Sequence, residues 1–183
     1  MVIHDRLYTV DEFEEFIARP ENRDRLFELI NGEIVEKVPT QKHGMIALKS
    51  GARILAWIEQ GNPGRVAVEV RHRMPGDKYN SRQPDVSYYA DTTTPVVERG
   101  AMPRMPDLAI EIKSPDDSLK DLREKAAYYL ANGARMVWLI YPEKRLVTVL
   151  TKESEDILTE ADILDGGDVL PGFALPVRDI FAY

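Results

Sequence analysis

Met105-Pro106-Asp107-Leu108-Ala109-Ile110-Glu111-Ile112-Lys113-Ser114-Pro115 alternates apolar and polar side chains over the length of one β-strand. Leu108, Ile110 and Ile112 share one face, and Asp107, Ala109, Glu111 and Lys113 share the other. Prolines bracket the run and end it as a strand. Glu111 and Lys113 then project from one face with their Cα atoms about 6.6 Å apart. A carboxylate and an ammonium so placed can share one metal-and-water site.

The nearest complement to this strand lies upstream. Gln83-Pro84-Asp85-Val86-Ser87-Tyr88-Tyr89 leads into a second strand with Asp85 at its start. If the two strands are neighbours, Asp85 and Glu111 converge on one divalent ion, with the Ile112 carbonyl as a further hard oxygen ligand, a set that magnesium favours. Lys113 would stand beside the activated water or the phosphate it attacks, where a cation offsets developing negative charge. The chemistry expected is phosphodiester hydrolysis. Asp107 offers a second Pro-Asp pair, but four residues of strand place it roughly 13 Å from Glu111, too far to chelate the same ion.

Outward from this pair, the chain reads as one domain of mixed α and β structure. Thr9 and Glu12 form a capping box opening a helix from Val10 to about Ala18, with Phe13, Phe16 and Ile17 on its apolar side. Leu26 to Ile30 and Glu33 to Val38 flank Asn31-Gly32, a two-residue hairpin turn. Thr40 to Gln60 predicts a second helix that packs Leu48, Ala52 and Leu55, with Ile58 at the same spacing, across a sheet. Arg65 to Arg73 alternates as a strand, and residues 91–104 read as an irregular loop. Asp116, Asp117 and Ser118 supply acidic and capping groups to a helix through about Ala131, with Leu122, Ala126, Tyr129 and Leu130 inward. Ala134 to Tyr141 and Arg145 to Thr151 make a second hairpin, and Pro171-Gly172-Phe173 reads as a turn packed by an aromatic.

Composition narrows the setting. At 183 residues with no cysteine, the chain can bury a sizeable core without disulfides and cannot build a thiolate zinc site. His4, Asp5 and Arg6 fall where a secretory signal needs its apolar core, and the longest purely apolar run, Met136 to Tyr141, is too short to span a bilayer. These features predict a soluble, cytoplasmic protein. A net charge of −7 works against polyanion binding. Only Arg65, Arg71, Arg73, Lys78 and Arg82, followed by Arg99 and Arg104, suggest a weak basic patch, and on a sheet exterior such charges are ordinarily just solvated.

The order Asp85, Glu111-Ile112-Lys113, helix, strand resembles the PD-(D/E)XK nuclease superfamily. Nearly the whole chain is similar to the Uma-two type family of restriction-endonuclease-like proteins. The stretches that carry this are Phe27-Glu28-Leu29-Ile30-Asn31-Gly32-Glu33-Ile34, Gln83-Pro84-Asp85-Val86, Pro106-Asp107-Leu108-Ala109-Ile110-Glu111, Val137-Trp138-Leu139-Ile140 and Pro171-Gly172-Phe173. The resemblance implies a restriction-endonuclease-like α/β core, with a mixed central sheet flanked by helices and an N-terminal β-hairpin. It also implies a magnesium-dependent endonuclease acting on DNA, with manganese as a substitute ion, and often a homodimer. Carried over by residue, it makes Asp85 and Glu111 metal ligands and Lys113 the catalytic lysine. Glu28 resembles the acidic residue that superfamily members bring from an earlier element. Glu33 is its competitor, expected on the opposite pleat.

Plainer readings stand beside these. Glu111 and Lys113 could be a surface ion pair, Asp85 a turn cap, and Glu28 a solvated hairpin residue. Lys125 could reach the site from its helix or lie in solvent. His43 and His72 read as structural or solvent-facing, and Trp57 and Trp138 as core. Two other functions compete with the nuclease: a catalytically silent module of the same fold that binds nucleic acid or protein, and a hydrolase of smaller phosphoesters.

Overall fold

A computed structural model of the chain describes residues 2–3, 6–115 and 117–182; Asp116, expected among the groups opening a helix, lies outside them. After a two-residue strand, β1 (Val2–Ile3), helix α1 (Val10–Ala18) starts at the expected capping box: the Thr9 hydroxyl accepts from the Glu12 amide, and the Glu12 carboxylate accepts from the Thr9 amide at 2.8 Å. Strands β2 (Leu26–Ile30) and β3 (Glu33–Lys37) pair antiparallel around Asn31 and Gly32. The φ angles of these two residues, 52° and 85°, are the left-handed values that a two-residue hairpin requires. β1 pairs with β3, and α1 covers the resulting three-stranded sheet through Val10, Phe13, Phe27, Leu29 and Ile34.

Helix α2 (Gln41–Glu59) is capped by Thr40 and buries His43, Ile46, Ala47, Ser50, Gly51, Ile54 and Trp57. This corrects the expected packing face. Leu48 and Leu55 are 71% and 45% exposed, and Ala52 lies with them. Both stripes have helical spacing; the stripe carrying Ile46, Ile54 and Trp57 removes more apolar surface from water and wins the core.

Strand β4 (Arg65–Val68) is also shorter than the alternation to Arg73 predicted. Glu69 adopts a φ of 55°, which ends the strand, and His72 rejoins the structure only through isolated bridges to Arg82 and Met102. β5 (Val86–Tyr89), β6 (Leu108–Ile112), helix α3 (Leu119–Ala131), β7 (Met136–Tyr141) and β8 (Leu146–Leu150) follow as expected within a residue or two. β9 (Glu155–Thr159), β10 (Ile163–Gly166), β11 (Leu170–Pro176) and the short α4 (Val177–Ile180) complete the described chain. Pro171, Gly172 and Phe173 lie inside β11 rather than in a turn. Gly172, at a φ of 77°, bends the strand so that Phe173 packs against Trp138, ring centres 5.8 Å apart.

The six-stranded sheet runs β4-β5-β6-β7-β8-β9, antiparallel except for β6 and β7, which are parallel and joined by a crossover through α3. Leu108, Ile110 and Ile112 pack with Trp138, Ile140 and the inner face of α2. On the other face, Ala109, Val137 and Leu139 receive Leu122, Ala126 and Tyr129 of α3. A sheet covered on both sides explains why Met136 to Tyr141 is continuously apolar and buried throughout. Among the described residues no helix is long and apolar enough to cross a membrane.

Candidate active site

Asp85 is tied to β6 twice. Its amide donates to the Ile110 carbonyl at 3.0 Å, and its Oδ2 accepts from the Ile112 amide at 2.7 Å. With Val86 opposite Ile110 in the antiparallel ladder, the start of β5 therefore sits against the end of β6. Oδ1 of Asp85 takes a hydrogen bond from Lys37 Nζ, at the end of β3, at 2.7 Å. Oδ2 lies 3.0 Å from His43 Nε2, in the first turn of α2. Burial by itself would raise the Asp85 pKa, but the Lys37 ammonium and the His43 bond outweigh it and hold the carboxyl well below its usual range.

Lys37 also donates to the Gln83 carbonyl at 2.9 Å and to Glu69 at 3.3 Å. Burial opposes its charge, yet the carboxylates of Asp85, Glu28, Glu111 and Glu69 raise its pKa, so it stays protonated. The Gln83 side-chain amide holds Glu69 by both its carbonyl and its carboxylate, each at 2.9 Å. That grip offsets the strain of the left-handed Glu69 and brings its carboxylate toward the site.

Glu111 projects from β6 toward α3. Its Oε1 accepts from the Tyr129 hydroxyl at 2.5 Å, and its Oε2 lies 3.5 Å from Lys125 Nζ. Lys125 and Tyr129 are four apart on α3, and so share a face. Burial pushes the Glu111 carboxyl up to about 7; Lys125 opposes the rise, and the nearby Asp85 and Glu28 add to it. Glu28, buried at the middle of β2, accepts from the Gln83 amide at 2.8 Å and pairs with Lys125 at 2.5 Å. Burial works against its charge, but Lys125 and Lys37 prevail and lower its pKa. Burial also raises the Tyr129 hydroxyl well above its ordinary value, which keeps it a donor.

The result is a buried lattice in which Lys37 neutralises Asp85 while Lys125 bridges Glu28 and Glu111. It floors a cleft of about 1040 Å³. The mouth carries Glu33, Glu36, Asp117, Asp121 and Glu124, so the rim is acidic.

Of the residues picked from sequence, the structure brings Asp85, Glu111 and Glu28 together, with Ile112 lining the same cleft. Lys113 is placed otherwise. β6 ends at Ile112, and the chain leaves the pleat there. The Lys113 ammonium donates to the Ser114 carbonyl at 2.9 Å and lies 3.5 Å from that of Pro115, instead of beside Glu111. Lys125 makes the contact with Glu111 that face alternation suggested for Lys113. Asp107 lies at the other end of β6, accepting from the Ala90 amide at 2.9 Å.

Glu33 corrects a geometric expectation. Because Ile30 pairs with Glu33 and Glu28 with Val35, Glu33 lies on the same face as Glu28, at the cleft mouth, and not on the opposite pleat. The same register puts Lys37 on that face, a signal available from the hairpin once Glu28 is suspected. His43, one of the two histidines expected to be structural or solvent-facing, is buried and touches Asp85; its local sequence carries no sign of that partner, because α2 must first be laid on the sheet. The presumed basic patch disperses: Arg71 binds Glu14, Arg73 binds Asp11, Arg65 donates to the Thr92 and Thr94 carbonyls, and Arg82 is buried over Tyr128.

Comparison with known proteins is consistent with this fold. A family model named Uma2 and described as "putative restriction endonuclease" matches residues 11–178. Among solved structures, a crystal structure of a "putative nuclease belonging to DUF820" from Anabaena variabilis superposes with a TM-score of 0.79 at 27% identity, covering 94% of this chain and 97% of that one. A DrdV–DNA complex gives a TM-score of 0.38 at 14% identity, over 76% of this chain and 14% of that one, too slight a likeness to argue from. No curated protein matches the chain.

Proposed function

Because the chain belongs to the Uma2 family, we propose that it is a magnesium-dependent endonuclease that hydrolyses phosphodiester bonds of DNA at the Asp85–Glu111 cleft. One observation carries the reading: Asp85 and Glu111, on paired antiparallel strands, face one cleft whose floor holds two charged lysines.

The donor set fits the ion. Among the described residues no three His, Cys, Asp or Glu side chains stand close enough to form a closed metal cage. Magnesium needs none, since it is commonly held by one or two carboxylates while keeping water and substrate oxygens. Asp85 and Glu111, with the Ile112 carbonyl, would hold it, and manganese accepts the same oxygens. When bound, a divalent cation supplies charge neutralisation and makes water more acidic.

The chain's own groups do the rest. Lys37 keeps Asp85 ionised, Tyr129 orients the Glu111 carboxyl, and Lys125 offsets negative charge developing on the attacked phosphate. The motif assigns that last part to Lys113, whose side chain would first have to leave the Ser114 and Pro115 carbonyls. In the reaction a water oxygen forms a bond to phosphorus and the bond to the bridging oxygen breaks. One water proton leaves to solvent, and the departing oxygen gains one.

Plasmid cleavage with and without chelator, run beside calorimetric titration of magnesium and manganese, tests this. Wild type binds the metal and nicks DNA in a chelator-sensitive way, and Glu111→Ala keeps the fold but loses both. Full cleavage by Glu111→Ala overturns the reading. The acidic rim favours one alternative, a catalytically silent module that meets a protein or nucleic acid elsewhere on its surface, because fixed negative charge disfavours a polyanion at the mouth. That alternative requires binding indifferent both to magnesium and to the loss of Lys125.

A further inference from the structure

Among the described residues, Ser50, Arg82 and Arg104 each bury a polar side-chain atom that has no hydrogen-bond partner. Of these, only Arg82 lines the candidate cleft. It is 2% exposed, and the unpartnered atom is its Nη1. A guanidinium cannot shed its charge, so a buried donor left open on one is costly until an acceptor arrives.

The rest of that side chain is held in place. Arg82 Nε donates to Asn80 Oδ1 at 3.1 Å, and the same oxygen accepts from the Asn31 amide at 2.9 Å, in the turn of the β2–β3 hairpin. The Tyr128 ring stacks on the guanidinium, with Cζ 4.6 Å from the ring centre, where the negative face of the ring favours a cation. Asp77 secures both supports. Its carboxylate accepts from the Tyr128 hydroxyl at 2.8 Å, from Asn80 Nδ2 at 3.0 Å and from the Tyr79 amide at 2.9 Å, so its hydrogen bonds go to the residues that carry Arg82 and not to Arg82 itself. The fork is thus fixed at one edge and one face, with Nη1 left unbonded.

We infer that Arg82 is a phosphate-binding residue of the cleft, whose open donor receives the non-bridging oxygens of a backbone phosphate next to the one attacked. Lys125, which touches Glu111, and Tyr128, which carries Arg82, lie three apart on α3 and are therefore neighbours on its surface. A phosphate attacked beside Lys125 and a second one at Arg82 are then separated by about one turn of α3. Arginine suits the second position because its planar fork can meet two phosphate oxygens at once. The acidic rim opposes every anion, so a phosphate that arrives alone binds weakly and one that arrives on a strand held elsewhere in the cleft binds better. Naming the ligand a DNA phosphate rests on the nuclease reading; the anion subsite itself does not.

Inorganic phosphate is the probe, titrated into the whole chain in the presence of chelator and followed by broadening of its phosphorus-31 resonance. Wild type broadens the signal saturably, with a dissociation constant in the range of about 1–10 mM. Arg82→Lys keeps the charge without the fork and raises that constant at least about fivefold, with the circular dichroism unchanged. Tyr128→Leu, which removes the stacked ring and leaves the charge, raises it at least about threefold and carries the test if the Arg82 variant does not fold. No saturable broadening by wild type overturns the inference. Broadening that both variants leave unchanged overturns it too, as the mark of an adventitious ion only. In magnesium-dependent plasmid cleavage Arg82→Lys raises KM more than it lowers kcat, and unaltered kinetics beside weakened phosphate binding overturn the assignment to the DNA backbone. A wild type that binds phosphate through Arg82 yet cleaves no DNA overturns the nuclease reading and supports the anion subsite.

Discussion

Lys37 Nζ lies 2.7 Å from Asp85 Oδ1, and both side chains are shielded from solvent, so each charge depends on the other. Removing one partner strands the other. Lys37→Met should therefore destabilise the protein by about 3 kcal/mol or more, the usual penalty for leaving one side of a buried pair uncompensated. Urea unfolding checks it, and a double-mutant cycle gives the sharper answer. Lys37→Met combined with Asp85→Asn should lose less than the sum of the single losses. Simple additivity would mean that the His43 and Ile112 bonds already satisfy Asp85 without the lysine.

Two lysines compete for one part in the proposed hydrolysis, and their surroundings separate them. Lys125 touches Glu28 and Glu111, whereas Lys113 is held by backbone carbonyls past the end of β6. Lys113→Ala should leave metal-dependent cleavage within about threefold of wild type. Lys125→Ala should lower it by about a hundredfold, the scale set by removing one preorganised charge-stabilising group. The reverse ranking would restore the assignment made from the Glu-x-Lys spacing.

Much of this site was legible because strands alternate. Asp85 at the head of one strand and Glu111 within the next require only that the strands be neighbours, and the ladder between Val86 and Ile110 makes them so. The hairpin at Asn31-Gly32 could be read for the same reason, since its turn residues tolerate left-handed backbone. Two features were not legible. His43 reaches Asp85 only after a 19-residue helix has been laid across a sheet, a long-range event with no local mark. And α2 carries two apolar stripes, so periodicity alone could not say which faces inward; the volume of Ile54 and Trp57 decided it. The Lys113 side chain lies off the expected face for a smaller reason: alternation extrapolates one residue beyond where β6 stops.

Tyr129 donates to a buried carboxyl that stands near neutrality in pKa. Replacing it by Phe removes only the hydroxyl and leaves the ring to fill its place against Leu122 and Ala126, so no large cavity forms. Glu111 Oε1 then loses a buried donor. Tyr129→Phe should cost about 1–3 kcal/mol. The same substitution in a Glu111→Leu background, where no acceptor is left wanting, should cost distinctly less. Equal losses in both backgrounds would place the effect in ring packing.

His72 supplies a pH dependence that lies outside the cleft. It is fully buried: Nδ1 lies 2.7 Å from the Arg104 carbonyl, and Nε2 lies 3.2 Å from the Ser87 hydroxyl and 3.1 Å from that of Tyr89. A neutral ring fits these contacts, with Nδ1–H donating to the Arg104 carbonyl and the single Nε2 lone pair accepting, shared between the two hydroxyls. Burial depresses its pKa to about 4, with the bond to the Arg104 carbonyl opposing the fall and the Arg104 charge adding to it. The unfolded chain titrates near the ordinary histidine value of about 6.5. Since the folded pKa is the lower one, the unfolded chain takes up the proton first. The contribution of His72 to stability is present above about pH 6.5 and falls as the pH drops toward about 4, amounting to about 2 kcal/mol lost between pH 7.5 and pH 5. Carboxylates titrate in part of that range, so the comparison is with His72→Gln, which can keep a donor and an acceptor without a charge to gain. Urea unfolding at both pH values should show wild type losing about 2 kcal/mol more than the variant on acidification. Equal losses would mean that the folded chain binds the proton as readily as the unfolded one, and a wild type that loses less than the variant would mean that the ring is protonated in the folded chain with both hydroxyls accepting from it.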